Sequence, residues 1–170
     1  MASREGPEFR PNELLTCLRR HEVDFVVIGG LAGMALGSAY PSFDLDVAYE
    51  RGTENLERLA GALRELGATL RGAPPDLPFQ LDAKTLANGA NFTFDTPFGS
   101  FDILADPAGA PRYKELKAAG EDVEIDGVPV RIASLDHLIA MKEAAGRPKD
   151  KLMATEYRTL SDVLRAPKDG

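Results

Sequence analysis

Two short apolar runs constrain this chain more than anything else in it. Val26-Val27-Ile28 leads directly into Gly29-Gly30, and Phe43-Asp44-Leu45-Asp46-Val47 follows a short way on. Strand side chains alternate between faces, so Asp44 and Asp46 share one face while Phe43, Leu45 and Val47 share the other. Two carboxylates side by side on a mostly apolar strand are costly unless a positive charge sits between them. Oxygen donors suit Mg²⁺. The double glycine turns the chain, and a short helix expected over residues 31–36 aims free N–H groups at an anion such as a phosphate. Metal plus triphosphate is the equipment of nucleotidyl transfer.

Such chemistry wants a third carboxylate, because two acids alone hold a pair of metals poorly. Phe101-Asp102-Ile103-Leu104 repeats the pattern of the first acidic strand and makes Asp102 the choice. Asp95 stands at an expected strand end beside a turn, where aspartate is common, and Asp106 precedes Pro107 in a loop. Ser38 and Ser42 are hydroxyls that can bond a phosphate or simply fill the loop before the first acid. No G-x-G-x-x-G and no G-K-[ST] is present, which removes the dinucleotide and P-loop readings. His21 and His137 are two isolated helix residues, too few for a zinc site. Around the expected helix-to-helix turn, Lys142, Arg147, Lys149 and Asp150 read on their own as a solvated helix end.

The remaining elements follow from period and punctuation. Asn12 is expected to cap a helix to residue 20, with Leu14, Leu15 and Leu18 inward. Strands are expected over 24–28, 43–49, 91–95 and 100–104. Residues 54–66 form an amphipathic helix closed by Gly67. Pro74, Pro75 and Pro78 make part of 68–90 a loop that can lie over the site. Asp126-Gly127 turns a hairpin whose second strand, carrying Pro129, belongs at an edge. Ser134 caps a helix ending at Gly146, and Pro148 opens a last helix to residue 165 with Met153, Tyr157, Leu160 and Leu164 in line.

The chain's 170 residues are read as one domain: a loose segment 1–11, a core 12–133 and C-terminal helices 134–170 packed on it. No stretch is long and apolar enough for a membrane span, and residues 1–5 lack a leader's charged-then-apolar order. The single cysteine, Cys17, flanked by leucines, is a small buried hydrophobe and points to a reducing cytoplasm. A formal charge of −7 argues against extended nucleic-acid binding and leaves a local contact with an RNA end open.

With Ile28-Gly29-Gly30, Asp44-Leu45-Asp46 and Asp102 in place, the chain resembles the polymerase β-type nucleotidyltransferase superfamily. The segment from Ser134 to Lys142, then Ala145-Gly146-Arg147-Pro148-Lys149-Asp150, is similar to small bacterial nucleotidyltransferases related to AbiEii-type toxins. The resemblance implies an α/β (α+β) fold, a mixed sheet flanked by helices with a C-terminal helix pair. It implies Mg²⁺ (or Mn²⁺) held by Asp44, Asp46 and Asp102. It also implies an NTP with its phosphates near Gly29, Gly30 and the following loop, a nucleotide contact from Lys142, and support from Arg147 and Asp150. Many relatives carry arginine four residues, and threonine two residues, before the first acid. Here those positions are Tyr40 and Ser42, and tyrosine replaces neither arginine's charge nor its fork of donors.

The expected activity is therefore Mg²⁺-dependent transfer of NMP from an NTP to an acceptor hydroxyl on an RNA end, a protein or a small molecule, within a toxin–antitoxin or phage-defence setting. Two alternatives stand beside it. One is a nucleotide-binding partner module, antitoxin-like, with little or no turnover. The other is a hydrolase that uses the same acids with water as acceptor.

Overall fold

The buried sides of two central strands organise the chain. β1 (Phe25–Ile28) is buried along its whole length. β2 (Asp44–Tyr49) buries Leu45, Val47, Ala48 and Tyr49 while Asp44 stays exposed. The computed structural model describes residues 6–74 and 76–167. The expectations for residues 1–5 and for Pro75 lie outside these.

The elements run α1 (Pro11–Arg20), β1, α2 (Gly29–Ala35), β2, α3 (Thr53–Glu65), β3 (Thr69–Leu70), α4 (Ala83–Asn88), β4 (Asn91–Thr96), β5 (Gly99–Leu104), α5 (Tyr113–Ala119), β6 (Glu121–Ile125), β7 (Val128–Ile132), α6 (Leu135–Ala145) and α7 (Pro148–Arg165). The seven strands form one sheet in the order β3-β4-β5-β2-β1-β7-β6. β2–β5 and β1–β7 are parallel, and the other neighbours are antiparallel. The sheet is thus mixed and flanked by helices, as expected.

Several boundaries differ for physical reasons. Asn12 does not cap α1: Arg10 is the N-cap and Pro11 takes the first turn, where a missing N–H costs nothing. The segment before α1 is anchored at its end, since the Arg10 N–H donates to the Phe98 carbonyl (2.9 Å) and Phe9 packs against the core. β7 is not an edge strand. It pairs with β1 only at Val27↔Ile132, so at Pro129 its second neighbour is absent and proline is tolerated. The loop after β3 divides between the two faces: its first residue, Arg71, reaches the acidic face, while Phe79 packs 6.3 and 6.4 Å from the rings of Phe92 and Phe94, on the opposite face of β4. The stretch also contains α4, capped by Asp82 accepting from the Thr85 N–H at 2.8 Å.

Cys17 is buried, and its thiol donates to Glu65 (2.8 Å), which Arg20 also binds. Burial and the Glu65 carboxylate push that thiol up to about 11, so it stays protonated at neutral pH. His21 is not isolated, because its Nε2 lies 3.4 Å from Glu65. This network clamps α1 to α3.

α6 begins at Ser134, whose side chain accepts from the His137 N–H, and ends at Gly146 with φ +69°. α7 lies along α6, and α6 also packs on α2. The buried stripe of α7 runs through Asp150, Met153, Ala154, Tyr157 and Ser161. One turn further it reaches Arg165, which pairs with Asp136 at 2.7 Å, so Leu164 turns to solvent instead of continuing the apolar line. Tyr157 is fully buried and its hydroxyl has no hydrogen-bond partner among the described residues. That hydroxyl lies where a Cβ on Gly33 would stand, which is why α2 carries glycine there. Gly33→Ala is expected to lower stability by about 1–3 kcal/mol through overpacking. Tyr157→Phe is expected to leave stability unchanged or to raise it, since only an unsatisfied hydroxyl is lost. Urea unfolding of both variants checks the pair.

Candidate active site

The parallel pairing of β2 with β5 sets Asp46 directly beside Asp102 and Asp44 beside Ser100. Register partners on neighbouring strands share a face. The antiparallel pairing of β4 with β5 adds Thr93 beside Asp102 and Asp95 beside Ser100. One face of the sheet therefore carries Asp44, Asp46, Asp102 and Asp95. The opposite face buries Leu45, Val47, Phe94, Phe101 and Ile103 in the core.

Asp46 sits at the centre. Ile28, the last residue of β1, is its partner on the other side. Immediately after, Gly29 has φ +73°, a conformation that suits glycine, and a Cβ there would overlap the Asp46 carboxylate. The acid thus rests on bare backbone at the start of α2. Gly30 is equally constrained, since its Cβ would stand 3.0 Å from the Ser42 side chain. The double glycine is less a turn before the helix than the first turn of the helix itself.

Burial first, then the Asp102 and Asp44 carboxylates, push Asp46 up to about 7. Asp102 is raised as well, mainly by burial, against the opposing pull of Arg71. The two acids are in hydrogen-bond contact, and the proton the pair takes up as pH falls below about 7 is favoured on Asp46. Asp44 and the other two do not form one tight cluster. Among the described residues, the one group of three metal-ligating side chains with donor atoms all within 4.8 Å is Cys17, His21 and Glu65.

Two basic side chains compensate the face. Lys142 on α6 is largely buried and its field lowers the Asp46 pKa, while its Nζ lies 3.5 Å from Asp150. Asp150 is buried in the first turn of α7 and accepts from the Arg147 N–H (3.3 Å) and Arg147 Nε (2.6 Å). The second base is Arg71, a residue the sequence did not single out. Its guanidinium donates to Asp102 (2.8 Å), to Asp95 (3.1 Å) and to the Phe94 carbonyl (2.8 Å). Arg71 follows a two-residue strand, too short to show any period, and only the register of β3 on β4 brings it to the acids. Asp106 is exposed beyond the end of β5.

The loop hydroxyls have other partners. Ser38 donates to Glu156 of α7, whose second oxygen accepts from the Ala39 N–H at 3.0 Å. Ser42 Oγ lies 3.3 Å from the Asp44 carbonyl. Tyr40 is half-buried against the core.

The fold that carries these residues is similar to solved structures. The lincosamide antibiotic adenylyltransferase LnuA, solved with lincomycin bound, aligns with a TM-score of 0.61 at 10% identity, over 90% of this chain and 99% of that one. The antibiotic-resistance factor ANT(2″)-Ia aligns at 0.55 and 16% identity, over 91% and 89%. TM1012 of Thermotoga maritima, described as a nucleotidyltransferase by assignment, aligns at 0.55 and 14% identity, over 92% and 99%. The fold is therefore the nucleotidyltransferase fold. No family model matches the chain, and no curated protein matches its sequence.

The raised Asp46 gives a signed expectation. A carboxyl whose folded value lies above its unfolded one takes up protons on folding, so the metal-free protein loses stability as pH rises from about 4 to about 7. An asparagine in its place carries no charge to bury. Asp46→Asn should melt several degrees higher than wild type at pH 8 without metal, with the gap closing toward pH 4, by calorimetry in chelator. In Arg71→Gln the Asp102 carboxyl should titrate at higher pH than in wild type, as followed by carboxyl NMR.

Proposed function

We propose that the protein is a Mg²⁺-dependent (or Mn²⁺-dependent) nucleotidyltransferase that moves NMP from an NTP to an acceptor hydroxyl. The observation that carries this is the register: Asp46 and Asp102 abut on neighbouring strands, with Asp44 on the same face and Gly29 beneath Asp46. All the donors are carboxylate oxygens, which fits a hard cation, and their mutual repulsion is what a cation relieves. Asp44, Asp46 and Asp102 would hold the metal. Bound there, Mg²⁺ supplies neutralisation of phosphate charge and activation of the attacking hydroxyl.

The chain's own groups do the rest. Gly29 and Gly30 offer a surface without side chains for close approach of the nucleotide, with Ser42 beside Gly30. Lys142, held toward Asp46 by buried Asp150, gives a positive charge to phosphate oxygens. Arg147 fixes Asp150 and thereby the α6–α7 junction. Asp102, kept oriented by Arg71, accepts the proton of the acceptor hydroxyl as its oxygen bonds to the α-phosphorus and pyrophosphate leaves. The structural neighbours include adenylyltransferases of antibiotics, which supports NMP transfer as the reaction class. A setting in the cytoplasm, in a toxin–antitoxin or phage-defence system, is in keeping with one protonated thiol and with the AbiEii-like segment. No helix among the described residues is long and apolar enough to cross a membrane.

One observation favours a second reading. The Ser38 hydroxyl and the Ala39 N–H are already taken by a carboxylate of the chain itself, and Tyr40 stands where arginine is common in relatives. An antitoxin-like module that binds nucleotide without turnover accounts for this.

With Mg²⁺, α-labelled NTP and cell extract, the wild-type chain is expected to label an acceptor and release pyrophosphate. Asp46→Asn should reduce this by about a hundredfold or more while keeping a cooperative unfolding transition. Wild-type transfer by that variant removes the mechanism. Nucleotide binding by wild type without pyrophosphate release establishes the second reading.

A further inference from the structure

The nucleotidyltransfer reading leaves the acceptor open among RNA, protein and small molecule. A cleft of about 1170 Å³ borders the acidic face. Ser42 and Phe43 line it and run directly into Asp44, and Ser100, the register partner of Asp44, lines it from β5. An acceptor seated there lies next to Asp44, while Lys142, which lowers the Asp46 pKa from α6, does not line the cleft.

The walls have a definite chemistry. The apolar part comes from Phe9, Leu31, Met34, Phe43 and Ile125. Met34 and Phe43 are 41% and 46% exposed, unusual for residues of their size. Among the described residues, every charged one lining the cleft is acidic: Glu8, Asp95, Glu124 and Asp126. Asp95 shares its charge with Arg71, while no ion pair is seen for Glu8, Glu124 or Asp126 among the described residues. Four carboxylates around an apolar, partly aromatic floor repel the phosphates of an RNA end and attract a cation. Aromatic faces favour an ammonium as well. The volume suits a ligand of a few hundred daltons, not a folded protein surface.

We infer that this cleft is the acceptor site and that it takes a small organic cation, an amine carrying hydroxyl groups on an apolar or sugar framework. The inference rests on the proposed transfer for its purpose but not for its test. The transfer itself forms a P–O bond from the amine's hydroxyl to the α-phosphorus and breaks the α–β phosphoanhydride bond. Pyrophosphate departs, and the hydroxyl proton passes to carboxylate.

Binding is measured on the wild-type chain by calorimetry without nucleotide or metal, so no turnover is involved. The probes are lincomycin and tobramycin as hydroxylated amines, maltotriose as a neutral polyol, and a short single-stranded RNA. At least one amine is expected to bind saturably, and maltotriose and RNA not to. Glu124→Gln with Asp126→Asn, both exposed, one near the end of β6 and one in the β6–β7 turn, is expected to weaken the amine about five- to tenfold. Asparagine tolerates the positive φ of Asp126, so the double variant keeps the turn. Binding of RNA in preference to the amines, amine affinity unchanged in the double variant, or no saturable amine binding at all overturns the assignment. Amine binding without any labelled product from NTP would instead sink the transferase reading and leave the cleft's preference standing.

Discussion

Carboxylate crowding on one face of the sheet is the constraint from which the rest of this structure follows. Asp46 is pressed between Asp102 on β5 and the start of α2, on a backbone from which the side chain has been removed. Burying one acid next to another is unfavourable, and the fold accepts that cost only where compensation is built around it. Lys142 comes from the C-terminal helices and Arg71 from the far side of β4, so the two ends of the chain's architecture converge on one electrostatic problem. A purely structural sheet would have no reason to gather these groups.

The compensation is uneven, and the unevenness has chemical content. Asp102 is bound by a guanidinium through one oxygen, while Asp46 has the field of Lys142 and is raised to about 7. Asp44 is left to solvent. Three acids on one face thus have three environments: oriented, buried and free. Environment alone pushes apart the behaviour of three identical side chains.

Much of this was legible in the chain. The alternation around Asp44 and Asp46 fixed their common face, and the same alternation around Asp102 pointed to its partnership, because a period of two is read without knowing the pairing. α6 and α7 declared themselves through Ser134, Gly146 and Pro148, residues whose roles are local. What stayed hidden depends on register and long-range packing. Arg71 follows a strand of two residues, and nothing in its neighbours says that it meets Asp102 thirty-one positions later. Pro129 suggested an edge because proline cannot serve a full ladder, but a strand joined to its neighbour at a single residue has room for it. The segment around Phe79 read as a free loop since prolines dominate it, while its anchoring comes from two aromatic rings on β4.

α7 carries a further implication. Through Asp150 it holds Lys142 near Asp46, and through Glu156 it holds the Ser38–Ala39 bend that leads toward β2. Less than two turns of a single rod separate those grips. The C-terminal helix therefore ties the α6 cation and the approach to the first acidic strand to one rigid element.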